Sequence, residues 1–134
     1  MREWLVDSSV WIEFLRGTGS STAKRLREAI AEDEPIIVPG LVRAELLRGT
    51  PNEAQANLLA KRFSAYPVAN TKEPETYERA ATFYRLARAK GYTVRSTVDC
   101  VLAALAAEGR YRLAHCDRDF EALSEVGGFE VERW

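Results

Sequence analysis

The stretch Trp4-Leu5-Val6-Asp7-Ser8-Ser9 decides the fold prediction for this chain. Its first three residues form a strand-length apolar block, and a second apolar run with helical spacing follows the two serines. An aspartate between a buried strand and a helix stands where open α/β sheets keep their ligand-binding groups. We therefore expect Asp7 to be the first of several acids that gather at one edge of a sheet and hold divalent metal.

The rest of the chain alternates short apolar strands with helical patterns. We predict further strands at 36–38, 66–68, 111–116 and 129–134, and helices at 10–15, 22–32, 41–48, 51–63, 73–90, 96–109 and 117–126. Pro51 is expected in the first position of its helix, and Pro67 weakens the strand prediction for 66–68. This order predicts a three-layer α/β/α fold with a narrow, mainly parallel sheet, and the length favours a single domain over residues 1–134.

The composition is that of an ordered globular protein, with 46% hydrophobic and 29% charged residues. A net charge of −1 neither indicates nucleic-acid binding nor excludes it, because charges can be segregated on the surface. The apolar run from Cys100 to Ala107 is much shorter than the roughly 20 residues of a membrane span. Two cysteines suit a reducing compartment, and nothing resembles a signal peptide, so a cytoplasmic protein without membrane association is expected.

Four acids stand where an acid needs an explanation: Asp7, Glu45, Asp99 and Asp117. Each also has a purely structural alternative. Asp7 and Asp117 follow strands and are suited to cap the next helix. Asp99 fits a capping box with Ser96 at the start of the most apolar helix, and Glu45 could face solvent from an otherwise apolar helix.

The joint pattern favours a metal site over four separate caps. In a parallel sheet, strand carboxyl ends and the following helix N-termini share one edge, which brings Asp7, Asp99 and Asp117 together. Converging carboxylates repel one another, and hard divalent cations such as Mg²⁺ or Mn²⁺ relieve that repulsion through oxygen ligands. Asp119, in the first turn after Asp117, is either a further ligand or an acid that stabilises the helix dipole.

Four motifs, in order, resemble those of PIN-domain ribonucleases. They are Val6-Asp7-Ser8-Ser9-Val10-Trp11-Ile12, Val42-Arg43-Ala44-Glu45-Leu46, Asp99-Cys100-Val101-Leu102-Ala103-Ala104 and Cys116-Asp117-Arg118-Asp119-Phe120. The resemblance covers essentially the whole chain, and its short form and spacing are most similar to VapC-type toxins of bacterial toxin–antitoxin pairs.

The resemblance implies a PIN-like fold and a Mg²⁺- or Mn²⁺-dependent endoribonuclease. Water activated by the metal would cleave RNA phosphodiester bonds and leave 5′-phosphate and 3′-hydroxyl ends. The implied catalytic and metal-binding acids are Asp7, Glu45, Asp99 and Asp117. Asp119 would contribute a secondary or water-mediated contact, although whether it or Asp117 is the closer ligand stays open. Ser9 would orient Asp7 or a metal-bound water by hydrogen bonding.

The resemblance also implies partners: an RNA substrate, a cognate antitoxin and a second copy of the chain in a homodimer. The helix at 22–32 and the apolar side chains of Trp11, Phe14 and Leu15 are candidate docking surfaces, or simply core. Candidate phosphate contacts, each with solvated surface as its alternative, are Arg16, Arg43, Arg48 and Arg95. His115 is expected to be packed or hydrogen-bonded rather than catalytic.

Two other functions are compatible with the same residues. A metal-dependent DNA nuclease or phosphatase could use the same acidic edge, since ligands determine the metal better than the substrate. A non-catalytic RNA- or protein-binding regulator would need the acids only as helix caps.

Overall fold

A computed structural model describes residues 2–134, and in this range the chain forms four strands and seven helices. The strands are β1 (Trp4–Val6), β2 (Ile36–Ile37), β3 (Arg112–His115) and β4 (Val131–Arg133). The helices are α1 (Ser8–Leu15), α2 (Ser21–Ala31), α3 (Gly40–Arg48), α4 (Glu53–Phe63), α5 (Glu75–Ala89), α6 (Thr97–Gly109) and α7 (Asp119–Gly127).

The four strands form one parallel sheet in the order β2-β1-β3-β4. The chain passes from β1 outward to β2 and then returns to β3 on the other side of β1. The strand order therefore reverses between β1 and β3, and this switch point is where open α/β sheets form their binding crevice. Val6 is in register with Ala114, so the residues that leave β1 and β3 emerge side by side.

Helices cover both faces of the sheet, which confirms the predicted three-layer α/β/α fold with a narrow parallel sheet. With right-handed crossovers, the connection from β1 to β2 lies on the opposite face from the connection between β3 and β4. Accordingly α1 packs against α2, while α5, α6 and α7 pack against one another. Within residues 2–134, no helix is both long enough and apolar enough to cross a membrane.

Helix α6 is the most buried helix in the chain, as its continuous apolar run predicts. Every residue from Cys100 to Ala106 is buried, and Ser96 caps the helix by accepting a hydrogen bond from the Asp99 amide at 3.3 Å. The capping contact predicted for Ser96 is confirmed. Because the helix has almost no exposed face, its first turn holds Asp99 close to the core.

Three sequence predictions about element boundaries are wrong. Residues 66–68 form no strand; the Val38 amide donates to the Pro67 carbonyl at 2.9 Å, but proline has no amide hydrogen to continue a ladder. Helix α4 begins at Glu53 because Asn52 caps it by accepting from the Gln55 amide at 2.9 Å, which leaves Pro51 outside the helix.

The third error concerns the start of the last helix. Helix α7 begins at Asp119 and not at Asp117. The Asp117 Oδ1 atom accepts a hydrogen bond from the Asp119 amide at 3.0 Å, so two residues form a turn ahead of the helix. Both acids therefore lie at the mouth of the crevice.

Trp11 belongs to the core, so of its two alternatives, docking surface or core, the structure supports the core. Its side chain is fully buried, and its indole ring packs edge-on against the rings of Phe14, Phe63 and Tyr66 with centroids 5.3–6.0 Å apart. Phe14 and Leu15 remain half-buried. Trp11 thus joins α1 to the end of α4 and holds in place the helix that Asp7 caps.

We predict that Trp11→Ala lowers the free energy of unfolding by about 3–5 kcal/mol, because it leaves a large cavity in the core. Leu58→Ala is the matched control: Leu58 is 64% exposed, so its truncation should change stability by no more than about 0.5 kcal/mol. Urea unfolding followed by far-UV circular dichroism measures both. An unchanged urea midpoint for Trp11→Ala would contradict the packing described.

Candidate metal centre

The Asp7 carboxylate lies at the end of β1 and caps α1. It is only 3% exposed, and the backbone amide and hydroxyl of Ser9 donate to its Oδ2 atom at 3.1 and 2.6 Å. Its Oδ1 atom is buried and has no hydrogen-bond partner among the described residues. A buried carboxylate oxygen without a donor is costly unless a cation or a proton neutralises it.

Ser9 connects the ends of the two central strands. Its hydroxyl donates to Asp7 and accepts a hydrogen bond from the Cys116 amide at 3.1 Å. The Cys116 thiol in turn donates to the Ser9 carbonyl at 3.4 Å. The expected contact between Ser9 and Asp7 is present, and the same hydroxyl ties the β3 end of the crevice to the β1 end.

Three further carboxylates meet across the crevice from Asp7. Asp99 lies in the first turn of α6, Asp117 follows β3, and Asp119 is the first residue of α7. Each offers an oxygen atom within 4.8 Å of the oxygens of the other two. Asp119 is the most buried of the three, with 6% exposure.

Glu45 reaches the same region from α3, which packs against α1. Its Oε1 atom accepts a hydrogen bond from the Ser8 hydroxyl at 3.1 Å. Burial raises the pKa of Glu45, and the charge of Asp7 raises it further. Glu45 is thus half-buried and hydrogen-bonded to Ser8, and this contact was not anticipated from sequence.

Asp99 experiences the charge of every other acid in the group. Burial raises its pKa to about 7, with further contributions from the charges of Asp7, Asp117, Glu45 and Asp119. Burial also raises the pKa of Asp7. The structure thus brings all five sequence-predicted acids into one electrostatic group, which we call the acidic cluster.

His115 holds the backbone of Asp117 in position. Its side chain is fully buried, and its Nδ1 atom accepts a hydrogen bond from the Asp117 amide at 3.1 Å. The network therefore assigns the hydrogen to Nε2, which donates to Glu121 Oε1 at 3.1 Å. Burial lowers the pKa of His115, which favours this neutral form. His115 is packed and hydrogen-bonded, as predicted, and it fixes the backbone that carries Asp117.

The four arginines proposed as phosphate contacts differ in their surroundings. Arg43 donates to the carbonyls of Val38 and Tyr66, both at 2.9 Å, so its guanidinium connects loops of the fold. Arg95 pairs with acids of the cluster. Arg16 lines a groove that also contains Glu45, and Arg48 is exposed.

The donor atoms suit a hard divalent cation. Within residues 2–134, the grouping of histidine, cysteine and acidic side chains close enough to hold a metal consists of three aspartates alone, which disfavours zinc. The unpartnered Oδ1 atom of Asp7 and the raised pKa of Asp99 both indicate a site that needs positive charge.

The raised pKa of Asp99 gives a testable pH dependence in metal-free protein. The folded state keeps a proton on Asp99 up to about pH 7, while the unfolded chain releases it near pH 4, so stability falls as pH rises between these values. Asp99→Asn should reduce this slope, leaving the part that comes from Asp7 and Glu45, and be more stable at pH 8 by about 1–2 kcal/mol, after allowance for solvent screening.

Thermal unfolding in EDTA from pH 5 to 8 measures this effect. Glu28→Gln changes an exposed acid of α2 and should keep the wild-type slope. If Asp99→Asn lost stability between pH 5 and 7 as steeply as wild type, Asp99 would not be the titrating group.

Comparisons with known proteins agree with this geometry. The chain is 33% identical over 128 residues to the VapC ribonuclease Mb1587 of Mycobacterium bovis and to ribonuclease VapC11 of Mycobacterium tuberculosis, covering 95% of this chain and 96% of each relative. Among solved structures, it is similar to VapBC2 from Rickettsia felis bound to promoter DNA (TM-score 0.76, 15% identity, 98% of both chains) and to VapBC-1 from Haemophilus influenzae (TM-score 0.74, 13% identity, 98% of both chains). Residues 4–126 match the PIN domain family. The chain therefore belongs to the PIN domain family.

Proposed function

We propose that this PIN-domain protein is a metal-dependent endoribonuclease that acts as the toxin of a toxin–antitoxin pair, with residues 1–134 as one nuclease domain. The observation that carries the proposal is the acidic cluster at the switch point between β1 and β3. Relatives named as ribonucleases along 95% of the chain support RNA as the substrate class.

In this proposal the metal is Mg²⁺ or Mn²⁺, and five acids hold it. The proposed ligands are Asp7, Glu45, Asp99 and Asp117, with Asp119 as a further contributor. When bound, such a cation makes water more acidic and neutralises the charge that develops on the phosphate. The side chains themselves need not act as nucleophiles, because their role is to bind the cation and to orient the water that it would hold.

Neighbouring residues prepare the ligands for this role. Ser9 occupies Oδ2 of Asp7, so Oδ1 is the oxygen left free for a cation. Ser8 occupies one oxygen of Glu45, and His115 holds the amide of Asp117. A bound cation would also favour the ionised form of Asp99 at neutral pH.

RNA cleavage in Mn²⁺ tests the proposal. Wild type should produce fragments with 5′-phosphate ends. Asp7→Asn should reduce the rate by at least about 100-fold because it removes a ligand, whereas Ser9→Ala should cost about 10- to 100-fold because it removes only the donor that orients that ligand. Gel analysis of end-labelled RNA measures both.

Three controls separate this function from its alternatives. EDTA should abolish cleavage, single-stranded DNA of the same sequence should remain intact, and Glu28→Gln should behave as wild type. Equal cleavage of RNA by wild type and Asp7→Asn would rule out the metal-dependent nuclease, and preferential cleavage of DNA would favour the DNA-nuclease alternative.

We propose an antitoxin that lies in the groove between α1, α3 and α4. The groove has a volume of about 530 Å³, and its apolar walls include Leu15, Leu46, Leu58 and Leu59. Glu45 lies at its margin, so a peptide with an apolar face and one basic residue would fit both the walls and the acids. The apolar candidate Leu15 thus lines the groove, whereas Trp11 does not.

Two further expectations remain proposals. The exposed side chains of Tyr77, Tyr84 and Leu86 on α5 support a homodimer. The free thiols of Cys100 and Cys116 support a cytoplasmic location, where thiols stay reduced.

Leu58→Asp should weaken antitoxin binding by about 10-fold or more, because it places a charge on the apolar wall of the groove. Val68→Asp, which changes an exposed valine in the loop after α4, should bind as wild type. Co-purification with a co-expressed VapB-type antitoxin, followed by titration calorimetry, measures the difference. Equal affinities for Leu58→Asp and wild type would place the antitoxin elsewhere.

A further inference from the structure

The acidic cluster contains a cation supplied by the chain itself. Arg95 immediately precedes the cap of α6, and its side chain extends over the crevice. Its Nε atom lies 3.2 Å from Asp119 Oδ2, and its Nη2 atom lies 3.4 Å from Asp117 Oδ1. The guanidinium therefore pairs with two of the three aspartates that approach one another within 4.8 Å.

The backbone and the guanidinium of Arg95 differ in how firmly they are held. Its backbone amide donates to Asp119 Oδ2 at 3.3 Å, which anchors the residue beside the cluster. Its side chain is 60% exposed, and both ion-pair distances exceed those of short charge-assisted bonds. An exposed, long ion pair of this kind is weak, so the guanidinium can leave while the backbone stays in place.

A divalent cation and this guanidinium would compete for the same two carboxylates. Asp117 and Asp119 neutralise Arg95 and are also two of the proposed metal ligands. Two cations held a few ångströms apart repel each other, so each weakens the binding of the other. By contrast, the hydrogen bonds that Asp7 and Glu45 accept within residues 2–134 come from uncharged serine hydroxyls and backbone amides.

We propose that Arg95 is a built-in competitor of the metal: its guanidinium neutralises Asp117 and Asp119 in the metal-free protein and withdraws when a divalent cation binds. This inference rests on the proposed metal site. In this role Arg95 lowers the affinity of the site for the metal and stabilises the folded protein when no metal is bound.

Mn²⁺ binding to the full-length, metal-free chain tests the proposal. Arg95→Gln should bind Mn²⁺ about 5-fold more tightly than wild type at low salt, and the difference should shrink at 1 M salt because screening weakens the repulsion. Arg95→Lys, which keeps the charge but loses the planar fork, should fall between them. Free Mn²⁺ measured by electron paramagnetic resonance gives the affinities directly, without any activity assay.

Thermal unfolding adds a second readout. Without metal, Arg95→Gln should unfold at a lower temperature than wild type because the aspartates lose their counter-charge. At saturating Mn²⁺ the two unfolding temperatures should coincide, since Arg95 has already withdrawn in wild type. Arg88→Gln, which changes an exposed arginine in the last turn of α5, should match wild type in both measurements.

The outcomes separate the inference from the function on which it rests. If wild type and Asp99→Asn bind Mn²⁺ equally, or neither binds it, the proposed metal site fails. If Asp99→Asn loses affinity while Arg95→Gln binds as wild type or more weakly, only the competitor role is overturned. A weaker Arg95→Gln would instead indicate that Arg95 holds the aspartates in position.

Discussion

The structure depends on one constraint: carboxylates that are buried or half-buried must converge despite desolvation and mutual repulsion. Five acids converge where β1 and β3 end, and the effect is concentrated on Asp99, whose pKa is raised to about 7 by burial and by the charges of the other four. Such a group is unfavourable for folding by itself. Contacts made by the rest of the chain therefore hold the five acids together despite their repulsion. Unfavourable local arrangements of this kind are common at functional sites.

The supporting structure works through two kinds of contact. Apolar packing fixes the elements, with α6 buried along its length and Trp11 joining α1 to α4. Polar contacts then position individual acids: Ser9 donates to Asp7, and His115 accepts from the amide of Asp117. These serine and histidine contacts use neutral groups, so they orient the carboxylates without cancelling the charge that a cation would need, whereas Arg95 pairs with Asp117 and Asp119 as a cation.

The sequence predicted the positions of the acids better than their immediate surroundings. Asp7, Asp99 and Asp117 could be placed on one edge because a parallel sheet with right-handed crossovers determines where strand ends and helix starts lie. Ser8 bonding to Glu45, and His115 bonding to the Asp117 amide, could not be predicted because they depend on side-chain geometry between distant elements. Their only sequence signal was proximity to the acidic motifs.

Errors in the fold prediction have a similar origin. Either Pro51 or Asn52 could precede the first turn of α4. Because the Asn52 side chain accepts a hydrogen bond from the Gln55 amide, Asn52 is the cap and the helix begins at Glu53. The helical spacing of Trp11 is the same whether its side chain faces a partner or the core. Its burial depends on packing against Phe63 and Tyr66, which come from later in the chain. Local pattern identifies the element, but tertiary contacts decide its ends and its faces.

The register of the central strands has a consequence for how the protein is made. Trp4 in β1 pairs with Arg112 in β3, roughly 100 residues later in the chain, and such distant pairing makes folding slow. During synthesis, Asp7 leaves the ribosome more than 100 residues ahead of its neighbours Asp117 and Asp119. The acidic crevice therefore cannot assemble on a nascent chain until translation has passed α7, which delays any chemistry until that point.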